Sequence, residues 1–330
     1  MTTRVLALSG GVGGAKLALG LYQCIAGEAL TFVVNIGDDF EHLGLHVSPD
    51  IDTLIYTLAG VNNPETGWGR EGETWSFMTA LGELGGETWF QLGDKDLALN
   101  VIRTARLRAG APLSMATAEL ARALGINATV APITDDVVRT RVKTPSGWLG
   151  FQRYFVQQRC QPPVIELDYE GAAAATPSQA FTEALGSTTL EAIVLCPSNP
   201  YLSVDPMLAV PGVREQLVNS AAPVVAVSPI VGGRAIKGPT AKIMAELGIA
   251  PSALSVAQHY RGVIDGMVLD VQDQAMAEGI RAMGIAVTVA DTVMKDLRCR
   301  KRLAELTIDF ACKLYAKKTE TTPNVGTGTR

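Results

Sequence analysis

The chain is poor in charged residues and in cysteine, and each scarcity excludes a class of protein. Charged residues are 18% of the 330-residue sequence, and 28 Lys+Arg against 33 Asp+Glu give a formal net charge of −5. A nucleic-acid-binding protein normally carries a basic surface, so no nucleic-acid partner is expected. The five cysteines are scattered and form no CxxC pair. That pattern favours reduced thiols in the cytoplasm and argues against a structural zinc site.

Long apolar runs are missing as well. No stretch reaches the roughly 18 apolar residues that a membrane span requires, so no membrane partner is expected. The amino terminus, MTTRVLALSGG, reaches its glycines too early for a signal peptide. We therefore predict a cytoplasmic protein. The hydrophobic fraction of 47% excludes disorder for most of the chain, and the length suits two domains or one large α/β domain.

Short β-branched apolar runs alternate with Ala- and Leu-rich helical stretches, and this alternation predicts a parallel sheet covered by helices. The predicted strands are residues 4–8, 31–35, 192–195, 224–227, 267–270 and 286–289. The first strand leads through glycines into a helix predicted over residues 14–26. Ligands of open α/β sheets bind at the carboxyl ends of the strands, so the loops there are the candidate site.

The middle of the chain has a different pattern. Residues 75–124 show helical apolar spacing, and residues 128–155 suggest short antiparallel strands with a hairpin turn at 144–147. We predict a nucleotide-binding core from residues 1–60 and 190–316, with 61–189 inserted as a smaller α+β region. The polar segment 317–330 is predicted to be a disordered tail.

The first candidate motif is SGGVGGAKLA, residues 9–18, between the first strand and its helix. Glycines let backbone amides approach phosphate oxygens, and a helix start adds partial positive charge. The motif is not a Walker A loop, because Leu17 stands where Ser or Thr is needed, and Lys16 breaks the dinucleotide fingerprint. A tight turn without a ligand is the alternative. The phosphate-binding candidates are Ser9, Gly10, Gly11, Gly13, Gly14 and Lys16.

Four carboxylates, Asp38, Asp39, Asp50 and Asp52, follow the second strand within a short segment. Adjacent like charges repel unless a cation or hydrogen-bond donors compensate them. Oxygen ligands of this kind suit Mg²⁺, which pairs with phosphates. The alternative is helix capping, since Asp50 or Asp52 could cap a helix that starts near Thr53.

Three further loops carry polar residues. CPSNP at 196–200 presents Ser198 and Asn199, and SPIVGGRAIKGPTAK at 228–242 offers a second anion site. LGDKD at 92–96 is interpreted as a helix start with Asp94 as its cap, and His259, which has no obvious partner, as structural. Together the glycine-rich, acidic and basic loops predict a metal-assisted phosphate-ester site for phosphoryl or nucleotidyl-type transfer.

SGGVGGAK, NIGDD, SPDIDT, WGREGETW, LGDKDLA, PSNP and SPIVGG, in this order, resemble the 2-phospho-L-lactate transferase family, whose members build the deazaflavin coenzyme F-420. The resemblance runs from about residue 4 to 315. It implies a Rossmann-like core with a smaller inserted region, a Mg²⁺ cofactor and a homodimer. It also implies the reaction: the ribityl hydroxyl of the deazaflavin FO attacks a guanylated three-carbon phospho-acid, and GMP leaves.

The resemblance assigns roles to residues of this chain. Asp52 and Asp50 are the catalytic candidates, and the metal candidates are Asp38, Asp39 and Asp50. FO is expected near Asp52, Lys95, Trp68 and Trp75, although many relatives carry Arg where this chain has Lys95, which lacks the bidentate fork. The remaining candidates would hold the guanine nucleotide, GMP or GDP, and its phosphates: Asn35, Ser198, Asn199, Ser228, Pro229, Gly232 and Lys237, with the glycine loop.

Alternatives remain at this level. The gluconeogenesis-factor branch of the same superfamily, a non-enzymatic regulator that binds nucleotide sugars, shares the glycine loop and an acidic pair. There, glycines and serines are expected after that pair, whereas this chain has Phe40-Glu41-His42 and then SPDIDT. A Rossmann enzyme that uses NAD or a nucleotide sugar is disfavoured by Lys16 and the aspartate cluster. Phospholactate, phosphoenolpyruvate and phosphoglycerate are all open as the three-carbon unit.

Overall fold

A computed structural model of the chain describes residues 3–321. The strands within that range are β1 (Arg4–Ser9), β2 (Leu30–Val34), β3 (Phe40–His42), β4 (Leu45–Val47), β5 (Thr129–Pro132), β6 (Arg139–Thr144), β7 (Gly147–Gly150), β8 (Glu166–Glu170), β9 (Leu190–Leu195), β10 (Val224–Val227), β11 (Ile230–Val231), β12 (Arg234–Ala235), β13 (Gly266–Asp270) and β14 (Ala286–Ala290). The helices are α1 (Gly11–Cys24), α2 (Pro49–Leu58), α3 (Ser76–Glu83), α4 (Asp94–Arg108), α5 (Leu113–Ala123), α6 (Gln179–Gly186), α7 (Asp205–Leu208), α8 (Val213–Val218), α9 (Thr240–Glu246), α10 (Ala253–His259), α11 (Ala277–Arg281) and α12 (Leu297–Thr321).

Seven parallel strands form the central sheet in the order β14-β13-β10-β9-β1-β2-β5. Every side chain of β10 and β13 is buried, so both faces of the sheet are covered. Runs that are apolar at every position, such as VVAV in β10, favour this two-sided burial over a sheet with one solvent face. The predicted α/β, Rossmann-like fold is confirmed.

The order in which strands are added to the sheet changes side between β1 and β9. Strands β1, β2 and β5 build outward on one side, and β9, β10, β13 and β14 build outward on the other. The two innermost strands pair in parallel, with Leu8 opposite Leu195. Their carboxyl ends therefore open the crevice in which α/β sheets hold ligands.

The structure differs from the prediction at three boundaries. Strand β5 lies at the edge of the central sheet, although its residues fall in the range predicted as an insertion. Helix α1 begins at Gly11 rather than Gly14. Helix α12 continues to Thr321 and so includes the start of the predicted disordered tail, while residues 322–330 lie outside the described residues.

The middle of the chain contributes α3, α4 and α5 and a small antiparallel sheet, β7-β6-β8. The hairpin turn predicted at 144–147 joins β6 to β7, and Gly147 has the positive φ of 108° that such turns require. His259, for which the sequence suggested no partner, bonds through Nε2 to Asp205 at 2.8 Å. Across residues 3–321, no helix combines the length and apolar character needed to cross a bilayer.

Candidate functional site

The glycine loop lies where β1 passes into α1. Gly10 is extended, Gly11 has a φ of 64°, and the 14-residue helix starts at once. A Cβ on Gly10 would collide with Ser203 and with the carboxylate of Asp50, and one on Gly13 would collide with the carbonyl of Pro197. Glycine is therefore needed here because other chain segments approach the loop closely. The result is a helix start whose amides lie at the mouth of the crevice.

The loop after β9 packs directly against the glycine loop. The amide of Gly10 donates to Ser198 Oγ at 2.9 Å. Asn199 Oδ1 accepts from the amides of Tyr201 and Leu202 and so caps a short π-helical turn over Pro200–Val204. Its Nδ2 is buried and has no hydrogen-bond partner within the described part of the chain. The predicted pair Ser198 and Asn199 thus lies beside the glycine loop, and the Asn199 Nδ2 group is available to donate a hydrogen bond to a ligand.

Asp38 and Asp50 form a buried carboxylate pair next to these loops. Asn35 Nδ2 donates to Asp38 Oδ1 at 3.3 Å and to Asp50 Oδ2 at 3.0 Å, so one amide joins them. Burial, reinforced by the charges of Asp50 and Asp39, raises the pKa of Asp38 well above its usual value. Burial also raises the pKa of Asp50 to about 6, although hydrogen bonds from Asn35 and the Gly11 amide oppose the shift.

This pair fits a magnesium ion that also binds phosphate. Its donors are carboxylate oxygens, the ligands that Mg²⁺ prefers, and the ion is commonly held by one or two carboxylates together with substrate phosphates and water. Within residues 3–321, no three His, Cys, Asp or Glu side chains are grouped to hold a metal by themselves. The predicted three-aspartate set is therefore not assembled: Asp39 bonds to Ser48 and His46 instead.

Asp39 and Asp52 do not line the crevice and bond to other protein groups instead. Asp52 forms a two-pronged ion pair with the wholly buried Arg103, with Nη1 to Oδ2 at 3.1 Å. Asp39 Oδ2 accepts from Ser48 Oγ at 2.7 Å and contacts His46 Nε2 at 3.0 Å. Asp50 and Asp52 point in different directions because they lie two residues apart on helix α2, and only residues three or four apart share a helix face. Asp52, the favoured catalytic candidate, is thus already engaged by a cation.

The crevice forms a cavity of about 760 Å³. The predicted residues that line it are Gly10, Gly11, Gly13, Lys16, Asp38, Asp50, Trp68, Ser198, Asn199, Ser228, Pro229 and Lys237. Three others support the wall from behind: Asn35 through its bonds to the two carboxylates, Ser9 and Gly14 through their contact with each other next to Ser198. Gly232 lies outside the lining, where its amide donates to Asp273 Oδ2 at 3.0 Å.

The residues predicted to hold FO do not come together. Trp68 lines the cavity and is 52% exposed. Lys95 lies at the start of α4, and its Nζ donates to the carbonyl of Glu71 at 3.0 Å. Trp75 precedes α3 as an exposed side chain outside the cavity lining. Of the four residues, the structure brings only Trp68 to the cavity. Asp94, at the start of α4, accepts hydrogen bonds from the amides of Ser76 and Phe77 at the start of α3.

Several lining residues were missed by the sequence reasoning. Thr292–Lys295 follow β14, so the rule that ligands gather at the carboxyl ends of parallel strands could have found them. Phe151, Gln152 and Phe155 come from the turn after β7, in the inserted region, and no motif marked them. Gln152 Nε2 donates to the carbonyl of Asp38 at 3.1 Å, which ties the insertion to the acidic pair.

Comparisons with known proteins agree with the motif resemblance. A family model described as 2-phospho-L-lactate transferase CofD matches residues 5–307. The phosphoenolpyruvate transferase of Streptomyces griseus subsp. griseus is 38% identical over 319 residues, which cover 95% of this chain and 100% of that protein. The 2-phospho-L-lactate transferase of Methanosarcina mazei is 36% identical over 304 residues, 92% and 99% of the two chains. A crystal structure of a Bacillus halodurans protein matches with a TM-score of 0.60 at 15% identity over 93% and 100% of the chains, which shows a shared fold.

Proposed function

Because the chain belongs to the 2-phospho-L-lactate transferase family, we propose that it makes the F-420 precursor by transferring a three-carbon phospho-acid to FO. The donor is a guanosine diphosphate derivative such as lactyl-2-diphospho-5'-guanosine, and GMP is the leaving group. The match to the transferase family favours the transferase over the regulatory branch considered from the sequence. The cytoplasmic location and the homodimer stay predictions.

The observation that carries this proposal is the meeting of three unlike loops at one crevice. Amides at the start of α1, the Ser198–Asn199 loop and the Asp38–Asp50 pair all face the same cavity. Amides and a helix start bind phosphate oxygens, and carboxylates hold the cation that neutralises them. These groups suit a transfer reaction at a diphosphate, because catalysis of such a reaction depends chiefly on positioning the reactants and stabilising charge.

Lysines at the rim supply positive charge for the nucleotide phosphates. Lys16 is half-buried, and burial, with Arg300 and Lys237 nearby, lowers its pKa. Lys237 Nζ donates to the carbonyl of Thr66 at 2.8 Å and so links the loop after β10 to the segment that carries Trp68. Neither Lys16 nor Lys237 forms an ion pair with a carboxylate of residues 3–321, and two such cations near each other favour an anionic ligand between them. We place the diphosphate there, with guanosine toward the Ser228–Pro229 loop.

Magnesium, when bound, would polarise the phosphate and absorb developing charge. Asp38 and Asp50 are the residues that would hold it. Asp50 is also the better candidate to accept the proton of the FO hydroxyl, because it lines the cavity while Asp52 is paired with Arg103. Asn35 orients both carboxylates through its single amide group.

The acceptor would enter over the aromatic part of the cavity. Trp68 and Phe155 are 52% and 38% exposed, and Phe151 stacks on Phe155 with ring centroids 5.3 Å apart. Flat conjugated rings pack well on such surfaces, and an offset or edge contact adds about 0.5–1.5 kcal/mol beyond area burial. We therefore propose that the FO ring lies beside Trp68, away from Lys95 and Trp75.

The direct test is product formation. Purified protein with Mg²⁺, FO and each guanylated phospho-acid in turn should yield an FO phosphodiester and GMP, separated by chromatography. Donors built on phospholactate, phosphoenolpyruvate and phosphoglycerate are compared in parallel, since relatives are named for two of these acids. Unchanged FO with every donor would reject the proposal, and a reaction without added FO serves as the control.

A further inference from the structure

A second cavity of about 370 Å³ adjoins the crevice. Its walls come from the β3–β4 hairpin, from β6 and from the turn after β7. It shares Asp38, Phe151 and Gln152 with the main cavity. A group attached to a phosphate held at Asp38 would therefore lie next to this second cavity.

The second cavity has buried polar atoms without partners. His42 Nε2, Thr140 Oγ1, Arg141 Nε and Asp39 Oδ1 make no hydrogen bond within the described residues. His42 is 4% and Thr140 1% exposed, so bulk water does not reach them readily. Buried polar groups in folded proteins are almost always paired, and the exceptions call for an explanation such as a missing ligand.

One cation of this cavity, Arg139, lies near a carboxylate without pairing with it: its charge opposes the rise in the pKa of Asp38. Arg141 pairs with Glu170 at 2.8 Å, and Arg153 lies 3.8 Å from Glu87 and 5.1 Å over the ring of Trp89. Arg139 donates only to the carbonyl of Val138, at 2.8 Å, and forms no ion pair with residues 3–321. Asp39 Oδ2 is engaged by Ser48 and His46, while its Oδ1 has no partner within the described residues. The cavity thus offers a guanidinium and two unused donors to an anionic ligand.

We propose that the second cavity binds the carboxylate of the three-carbon acid on the donor, with Arg139 as its counter-charge and Thr140 and His42 as hydrogen-bond donors. This inference rests on the proposed function, because it assumes that the donor phosphate lies at Asp38 and Asp50. The acid is the part of the donor that differs between the named relatives. The second cavity is therefore where this chain would distinguish one acid from another.

The test compares binding of the guanylated acid with binding of GDP, which lacks the carboxylate. Affinities of lactyl-2-diphospho-5'-guanosine and GDP are measured by calorimetry with Mg²⁺ and without FO. Arg139→Gln should weaken binding of the guanylated acid about tenfold or more, because a hydrogen bond to a charged group is lost, and leave GDP within about twofold. Arg139→Lys should recover part of the loss.

Thr140→Val keeps the test informative if the arginine variant folds poorly. The Thr140 hydroxyl has no partner in the chain, so its removal should not lower the urea midpoint. Binding of the guanylated acid should still weaken about threefold or more, while GDP affinity holds. Lys143→Gln is the matched control: it removes a charge from the same strand at a residue paired with Glu166, and it should change neither affinity.

Equal losses for GDP and the guanylated acid, or no loss for either, would overturn the inference. Its failure is separable from failure of the proposed function. Absence of FO product with the wild-type chain rejects the transfer reaction, whereas the binding ratio of the two guanosine ligands reports on the second cavity whether or not FO reacts.

Discussion

Two pairs of aspartates, close in sequence, have opposite surroundings in this protein. Asp38 and Asp50 line the crevice, and no cationic side chain of residues 3–321 is bonded to them; Asn35, Gln152 and the Gly11 amide donate to them instead. Asp39 and Asp52 lie outside the crevice lining and are bonded to His46 and Arg103. A run of acidic residues therefore need not act as one cluster. Carboxylates with no cationic side chain bonded to them can bind a ligand cation, whereas the carboxylates bonded to His46 and Arg103 hold the scaffold.

Replacing Asp50, a carboxylate that lines the cavity, should have the strongest effect on turnover. Asp50→Asn should lower turnover about 10³-fold or more, because the variant loses a proton acceptor and a metal ligand together. Its unfolding free energy should stay unchanged or rise, since a buried charge is removed. Steady-state assays of FO phosphodiester formation, with urea unfolding alongside, test this. Near-normal turnover would remove Asp50 from the mechanism.

The interior carboxylate should behave in the opposite way. Asp52→Asn leaves the guanidinium of Arg103 buried without its partner, which should lower the free energy of unfolding by about 3–5 kcal/mol. The double variant Asp52→Leu with Arg103→Met should recover most of that loss, because a buried ion pair can often be replaced by apolar groups. Urea unfolding of the three proteins measures both effects. A stable but inactive Asp52→Asn protein would restore Asp52 as the catalytic candidate.

The raised pKa of Asp50 should also appear in the pH dependence of stability. The folded-state pKa of Asp50 is raised to about 6, so its ionisation costs stability as the pH rises from about 4 to 6, and Asp38 extends the loss to higher pH. With EDTA, the chain should lose about 1–3 kcal/mol across this range, and Mg²⁺ should reduce the loss. Asp50→Asn should flatten the profile. A metal-free profile that rises with pH and is unchanged in Asp50→Asn would contradict the assignment.

The weakest effect is expected at Lys16, the cation of the glycine loop that lines the cavity. Lys16→Ala should weaken GDP binding about tenfold, because a charged contact to phosphate is lost. Lys313→Ala, on the exposed side of α12, is the matched control and should have no effect. Calorimetry with Mg²⁺ measures both affinities. Equal affinities in all three proteins would show that the glycine loop does not hold the nucleotide.

Much of the fold could be predicted because parallel strands carry a strong local signal. The apolar runs of β1, β9, β10 and β13 were each predicted within a residue or two, since strands buried on both faces are apolar at nearly every position. Strand β5 was missed as part of this sheet, because TVAP is short and lies next to the β6–β7 hairpin. Sequence pattern identifies a strand, but its partner in the sheet depends on contacts far along the chain.

The loops that form the candidate site could be predicted from the sequence, but the directions in which their side chains point could not. The glycine loop, PSNP and the Asp38 segment meet because each follows a strand of one parallel sheet. The cavity role of Gln152 and Phe155 depends on how the inserted region folds back over Asp38. The pairing of Arg103 with Asp52 depends on how α4 packs beside α2. These contacts join residues with no motif in common.

The order of strands and helices, the loops that carry the chemistry and the family could all be predicted from the sequence, because each depends on short segments of consecutive residues. Which aspartates line the crevice, and which are bonded to His46 and Arg103 instead, depends on tertiary packing. A carboxylate's burial and partners are set by distant elements, so its charge state and its use cannot be read from its neighbours in the chain.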